Sequence, residues 1–155
     1  MRRIDKQIDS LEEINKIIHR SNVCWVAMAR KNNPYLIPMN FGFQDQHLYL
    51  HSAGKGLKID ILKENPRVCI AFGQNIELLP STILCKTSMK YQSVLVYGKA
   101  RFIEDPHEKK EALDIIVRHY YKDKTEDVLK YNHKTIIELV IIKIQIEKMT
   151  GKKSL

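Results

Sequence analysis

Hydrophobic positions along this chain switch between a period near 3.6 and a period of two, and the switches mark its elements. Leu11, Ile14, Ile17 and Ile18 recur at helical spacing behind Ser10-Leu11-Glu12-Glu13, which has the form of a capping box, so a helix is expected from about Ser10 to Arg20. Val23 to Ala29, which contains Trp25, is an apolar run of strand length. Lys31-Asn32-Asn33-Pro34 then turns the chain into a second strand, Tyr35 to Phe43, and Asp45-Gln46 turns it into a third that ends near Ala53. These three strands read as an antiparallel meander.

Further along, Arg67 to Phe72 reads as a fourth strand and Tyr91 to Phe102 as a long fifth, in which Val94, Val96, Gly98, Ala100 and Phe102 share one face. Gly73 to Met89, between them, shows no clear period. Asp105-Pro106-His107-Glu108 opens a second long helix, with Asp105 as its cap, Pro106 in its first turn and an apolar stripe of Ala112, Leu113, Ile116, Val117 and Tyr120. A short helix is expected over Glu126 to Tyr131. The last strand is expected from Thr135 to Met149. On one of its faces Ile137, Leu139 and Ile141 give way to Lys143, Gln145 and Glu147, while Val140, Ile142, Ile144 and Ile146 stay apolar on the other. It should start buried on both faces and end buried on one. Antiparallel strands with one crossover helix and flanking helices predict a mainly β, α+β barrel with shielded edges, in a single domain over residues 1–155.

One stretch carries a chemical signal. In HLYLHSAGKGLKIDILKENPRV, from His47 to Val68, a strand runs into Ser52, Gly54 and Gly56 and then into a short helix, Leu57 to Glu64, which Asn65-Pro66 closes. Leu57, Ile59 and Ile61 also alternate, as a strand would. A helix opening behind small residues presents unpaired N–H groups and the positive end of its dipole, and Lys55 and Lys58 add full charges, an arrangement suited to a phosphate monoester. Two turn glycines and two surface lysines would leave the same local pattern. The spacing fits neither a Walker A loop nor a dinucleotide fingerprint, whose third glycine would fall at Ile59.

Composition narrows the classes. A net charge of +8 favours anionic ligands only loosely, because the lysines are scattered and form no stripe, and no nucleic-acid partner is expected. The longest apolar run, Ile136 to Ile142, is broken by Glu138 and falls short of a membrane span of roughly 20 residues. Without an apolar signal core after Met1, a cytoplasmic address is expected. Cys24, Cys69 and Cys85 form no C-x-x-C pair and read chiefly as small buried hydrophobes. His107, His119 and His133 lack a second ligand at helical spacing, so no metal is expected.

With order and motifs in place, the chain resembles the FMN-binding split-barrel proteins related to pyridoxamine 5'-phosphate oxidase, and most closely their nitroimidazole-resistance branch. The resemblance runs over nearly the whole length. It rests on Pro38-Met39-Asn40-Phe41-Gly42, HSAGKGLKIDILKENPRV from His51, Met89-Lys90-Tyr91-Gln92-Ser93-Val94, Tyr97-Gly98-Lys99-Ala100, Glu104-Asp105-Pro106 and Thr150-Gly151-Lys152.

The resemblance implies an antiparallel split barrel with flanking helices and an FMN cofactor. It implies that the backbone of Met39, Asn40 and Phe41 runs beside the flavin ring, and that His51, Ser52 and Ala53 meet the ring and ribityl chain. Lys58, with the backbone at Gly56, would pair with the phosphate. Gln92 and Ser93 would come from the partner subunit, so the site would be complete only in a homodimer. A flavin carries the redox chemistry, and the partners expected are a small-molecule electron donor and acceptor. His51 is the candidate catalytic residue, because it titrates near neutral pH and would deliver a proton beside the ring. Two departures count against pyridoxal phosphate synthesis: Leu57 and Gln92 stand where those oxidases carry arginines, and their C-terminal Trp and Arg have no match. The chain thus reads as a nitroreductase-like flavin oxidoreductase of small molecules, or as a non-catalytic flavin- or haem-binding protein on the same barrel.

Overall fold

Two tight hairpins start the sheet. Lys31-Asn32 and Asp45-Gln46 all have positive φ, between 48° and 64°, the conformation that matches a two-residue turn to the twist of its strands. The first joins β2 (Cys24–Arg30) to β3 (Asn33–Met39), and the second joins β4 (Gly42–Gln44) to β5 (His47–Ser52). The computed structural model describes residues 3–121, 136 and 138–154. These also contain β1 (Gln7–Ile8), α1 (Leu11–Arg20), α2 (Leu57–Glu64), β6 (Arg67–Leu79), β7 (Ser88–Ile103), α3 (Pro106–Tyr120) and β8 (Val140–Ser154).

All pairings are antiparallel, and the sheet runs in the order β3-β2-β6-β7-β8-β5-β4, with β1 on β8. The sheet does not close by hydrogen bonds. Its two ends, β3 and β4, are nevertheless consecutive in the chain and joined only by Asn40 and Phe41, so the sheet curls until its edges meet at those two residues. This is a split barrel.

The inward rows are Cys24, Val26 and Met28; Leu48 and Leu50; Val68, Ile70 and Phe72; Val94 and Val96; and Ile142 and Ile144, all buried. α1 closes one mouth with Ile14, Ile17 and Ile18. α3 packs Ala112 and Leu113 on a second cluster with Ile103, Ile136 and Ile141, outside the barrel at the end of β7. Gly42 permits that contact, since a Cβ there would lie 2.8 Å from the Ile116 nitrogen on α3.

Both helix caps form as the sequence predicts: Ser10 accepts from the Glu13 N–H, and Asp105 from the N–H groups of His107 and Glu108. The return half of the first capping box does not form, because the Glu13 carboxylate takes Lys153 Nζ at 2.8 and 3.0 Å. Four other expectations need correction. The second strand breaks at Asn40, because its two halves serve opposite edges of the sheet. The meander fails for the same reason, since β5 pairs with β4 and β8 and not with β3. The fourth strand runs on to Leu79, past a register shift between Gln74 and Glu77 where Asn75 takes φ 51°. The last strand begins at Val140, although the loss of apolar character from Ile141 to Lys143 occurs as expected, where α3 stops covering the face. The expected helix over 126–131 lies outside the described residues. Of the cysteines, Cys24 is buried, Cys69 half-buried and Cys85 exposed.

Candidate functional site

The start of α2 and the end of β5 meet as the motif suggests. Gly56 caps α2 with φ 128°, a conformation that strains any residue with a side chain, and nothing stands within 4 Å of where its Cβ would be. No side chain caps this helix; the Ile59 N–H turns back to the Gly56 carbonyl at 2.9 Å, and the N–H groups of Leu57 and Lys58 are left without an acceptor among the described residues, with the dipole behind them. Lys58, on that turn, lies close enough to His51 for its charge to act there. Burial first, and Lys58 second, hold the His51 imidazole below its usual range, which keeps the ring neutral at neutral pH. Ser52 is buried and its hydroxyl donates to the Ala53 carbonyl at 3.0 Å. His51, Ser52, Ala53, Gly56 and Lys58 therefore form one local group.

Met39, Asn40 and Phe41 form the two-edge junction. The β4–β5 register pairs Gly42 with Tyr49, and continuing it by two positions sets Asn40 level with His51. Asn40 is exposed, while Met39 and Phe41 turn inward. Their backbone groups are held by protein: the Met39 carbonyl accepts from Cys24 Sγ at 3.4 Å, and the Phe41 N–H donates to the Tyr120 hydroxyl at 3.0 Å. Burial pushes the Cys24 thiol up to about 12, so it does not act as a nucleophile at neutral pH.

A pin that the sequence does not reveal fixes this junction from outside. The Tyr120 hydroxyl, while accepting from Phe41, donates to the Asn22 carbonyl at 3.0 Å. The neighbouring His119 places its ring 4.3 Å from that of Phe41, and its Nε2 lies 2.8 Å from the Ser21 carbonyl oxygen. The last turn of α3 thus ties the junction to the end of α1. The apolar stripe includes Tyr120, but nothing local in the sequence says that its hydroxyl meets Phe41.

Gln92 and Ser93 are not in this group. His51 pairs across β8 with Ile141, whereas Gln92 pairs with Lys153 and Ser93 with Lys152. From Ile141 to Lys153 is twelve positions, roughly 40 Å of strand at about 3.3 Å per residue. Within one chain His51 and the pair Gln92 and Ser93 thus lie against opposite ends of β8, whereas the junction is nearer the second end: the register sets Met39 level with Cys24, Phe72 and Val94, and the Phe41 ring lies 5.0 Å from that of Phe72. The Gln92 side chain accepts from Asn75 at 2.7 Å, and the Ser93 hydroxyl donates to the Lys152 carbonyl at 3.4 Å.

A cavity of 460 Å³ lies elsewhere, between α3 and the outer face of β5 and β8. Its acids are already engaged: Asp45 with Gln44, Glu108 with Arg101, Glu111 with His107 and Asp114 with Lys110. No group of three or more potential metal ligands occurs among the described residues, and none of their helices is long and apolar enough to cross a membrane.

Comparison with known proteins agrees with this fold. Residues 10–153 match the family model described as pyridoxamine 5'-phosphate oxidase. A candidate 5-nitroimidazole antibiotic resistance protein from Bacteroides thetaiotaomicron is 39% identical over 94% of this chain and 85% of its own, with a TM-score of 0.83. Two more distant structures share the fold. An FAD and heme binding protein from Mycobacterium smegmatis is 18% identical over 96% of this chain and 73% of its own, with a TM-score of 0.88. The flavocytochrome Anf3 from Azotobacter vinelandii is 19% identical over 100% of this chain and 72% of its own, also with a TM-score of 0.88. No curated protein matches the chain.

Proposed function

Because this chain belongs to the pyridoxamine 5'-phosphate oxidase family, we propose that it is a homodimeric flavoprotein that binds FMN or its close derivative and works as a nitroreductase-like oxidoreductase of small molecules. One observation carries the proposal. His51 lies against one end of β8 and Gln92 with Ser93 against the other, which supports a site completed by a second copy. A two-fold axis would bring Gln92 and Ser93 of one subunit to His51 and Lys58 of the other.

When bound, the flavin supplies the hydride or electron transfer. The chain's residues bind and orient it. Lys58 and the first-turn N–H groups of α2 hold the phosphate, Gly56 allows the backbone to approach it, and the Asn40–Phe41 junction borders the ring. His51 is held neutral, so near neutral pH it acts as a hydrogen-bond donor or a base and not as a cationic acid. Leu57 and Gln92, in place of arginines, lead the reading away from pyridoxal phosphate synthesis.

The alternative, a flavin or haem carrier without turnover, draws support from His51 itself. Its charged neighbour is a cation, Lys58, and among the described residues no carboxylate acts on it. The absorption spectrum of purified protein, before and after NADH or NADPH, separates these readings. A flavin spectrum that bleaches supports the oxidoreductase, and one that persists, or a Soret band with added haem, supports the carrier. Protein that takes up neither added FMN nor added haem overturns both. Lys58→Met should weaken FMN binding by about tenfold or more, the scale of a charge-assisted contact.

A further inference from the structure

Beyond Gln74 and Gln92, β6 and β7 run on as a two-stranded arm. A register shift between Gln74 and Glu77, with Asn75 at φ 51°, bends its root. Further out Leu78 lies opposite Met89 and Leu79 opposite Ser88, and a single 3-10 turn, Leu84–Lys86, sits at the tip. Residues 88–90 pair with β6 alone among the described strands, since the pairing of β7 with β8 stops at Tyr91. Ile76, Leu78, Leu79, Ile83, Leu84 and Met89 are 36–86% exposed. A hairpin by itself is marginal in water, and apolar side chains gathered on one mark a surface that something else covers.

Two relations identify the cover as a second copy of the chain. Alternation along β7 puts Met89 on the face of Leu95 and Tyr97, and the register adds Leu78 to that face. The arm therefore prolongs the exposed apolar outer face of the sheet, where Trp25, Leu95 and Tyr97 stand, and one partner can cover both. The arm also springs directly from Gln92 and Ser93, the residues that the shared site takes from the partner. From Gln92 to Ser88 is four positions, roughly 13 Å of strand at about 3.3 Å per residue, and the tip extends it further. An arm rooted at the partner's cofactor site is long enough to pass over it.

Its chemistry selects what lies beneath. Residues 75–90 carry three charges, Glu77, Lys86 and Lys90, and the register sets Glu77 opposite Lys90. A charged molecule pressed against Leu78, Ile83 and Leu84 would lose its water without gaining a partner.

We propose that the arm of each subunit lies across the partner's flavin site and supplies, through Leu78, Ile83 and Leu84, an apolar wall against which the second reactant rests, so that this reactant is an uncharged, apolar small molecule. The inference rests on the shared flavin site above and extends it from the cofactor to the reactant.

Nitrobenzene and the anionic 4-nitrobenzoate, titrated into flavin-loaded protein and followed by perturbation of the flavin absorption bands, test it. The wild type should bind nitrobenzene about tenfold more tightly than 4-nitrobenzoate. Leu78→Lys and Leu84→Lys should each remove most of that difference and leave flavin content unchanged. Both side chains are exposed, so their replacement keeps the fold. Refolding Leu84→Lys with Lys58→Met as an equal mixture shows which subunit the arm serves. Each mixed dimer has one site in which an intact Lys58 meets the unsubstituted arm of the other chain, so about half of the flavin-loaded sites should recover wild-type nitrobenzene affinity by two-fold symmetry. No recovery would mean that the arm does not act across the dimer, and would overturn the proposal. Equal or absent binding of the two probes by the wild type, or arm variants that bind both as the wild type does, would also overturn it and leave the flavin site standing. A wild type that takes up no flavin removes the flavin reading itself.

Discussion

The Phe41 N–H donates to the Tyr120 hydroxyl at 3.0 Å, across 79 positions of chain, at the point where the two edges of the sheet meet. Phe41 is fully buried, so its N–H has little access to water as a substitute. Tyr120→Phe keeps the ring and removes the partner. The expected cost is about 1–3 kcal/mol, the price of an unsatisfied buried donor, and the melting temperature should fall by several degrees. Urea unfolding measures it, and a variant as stable as wild type would show that the junction does not depend on this bond.

His51 should titrate below about 6.5, the ordinary value for histidine. Its folded pKa is lowered by burial and, second, by Lys58, so the unfolded chain binds the proton more readily. The stability tied to the neutral ring is therefore complete above the unfolded pKa and is lost as pH falls through that value towards the folded one. A proton NMR titration should give a midpoint under 6.5, and Lys58→Met should raise it partway, with burial keeping the rest. A midpoint at or above 6.5 would contradict this environment.

The outer face of β2, β3, β6 and β7 is apolar where most surfaces are not. Trp25, Leu36, Leu95 and Tyr97 are 37–59% exposed, and the register sets Trp25 in line with Ala71 and Leu95, and Cys69 in line with Tyr97. A patch of this kind is what a subunit interface covers. Leu95→Lys should convert the proposed dimer to monomer in sedimentation experiments and lower flavin occupancy with it. A wild-type chain that sediments as a monomer at micromolar concentration would remove the interface.

Much of this molecule was legible from residue pattern alone, and the failures share a cause. α1 and α3 have clear side-chain caps, α2 has a clear stop at Asn65-Pro66, and β5 with its glycine-rich exit has an unbroken period of two. The break at Asn40 was hidden because Tyr35 to Phe43 is locally a good strand, and only the curl of the sheet assigns its halves to different edges. β6 beyond Gly73 was hidden because Ile76, Leu78 and Leu79 are all exposed, so burial imposes no alternation there. In the site, His51 to Lys58 could be read because its members are neighbours in sequence. The Tyr120 pin could not, since it depends on contacts between distant segments.

The central claim is that one flavin site takes Lys58 from one subunit and Gln92 with Ser93 from the other. Two variants test it together: Lys58→Met, and Gln92→Ala combined with Ser93→Ala. Each alone should bind flavin poorly. After unfolding and refolding as an equal mixture, half of the dimers are mixed, and each mixed dimer contains one site with no substitution, so roughly a quarter of all sites should regain wild-type flavin affinity by two-fold symmetry. Flavin bound per protein, measured by absorbance after desalting, gives that fraction directly. Recovery near a quarter is the predicted result, and a mixture that binds no more flavin than the average of its two parts would contradict the shared site.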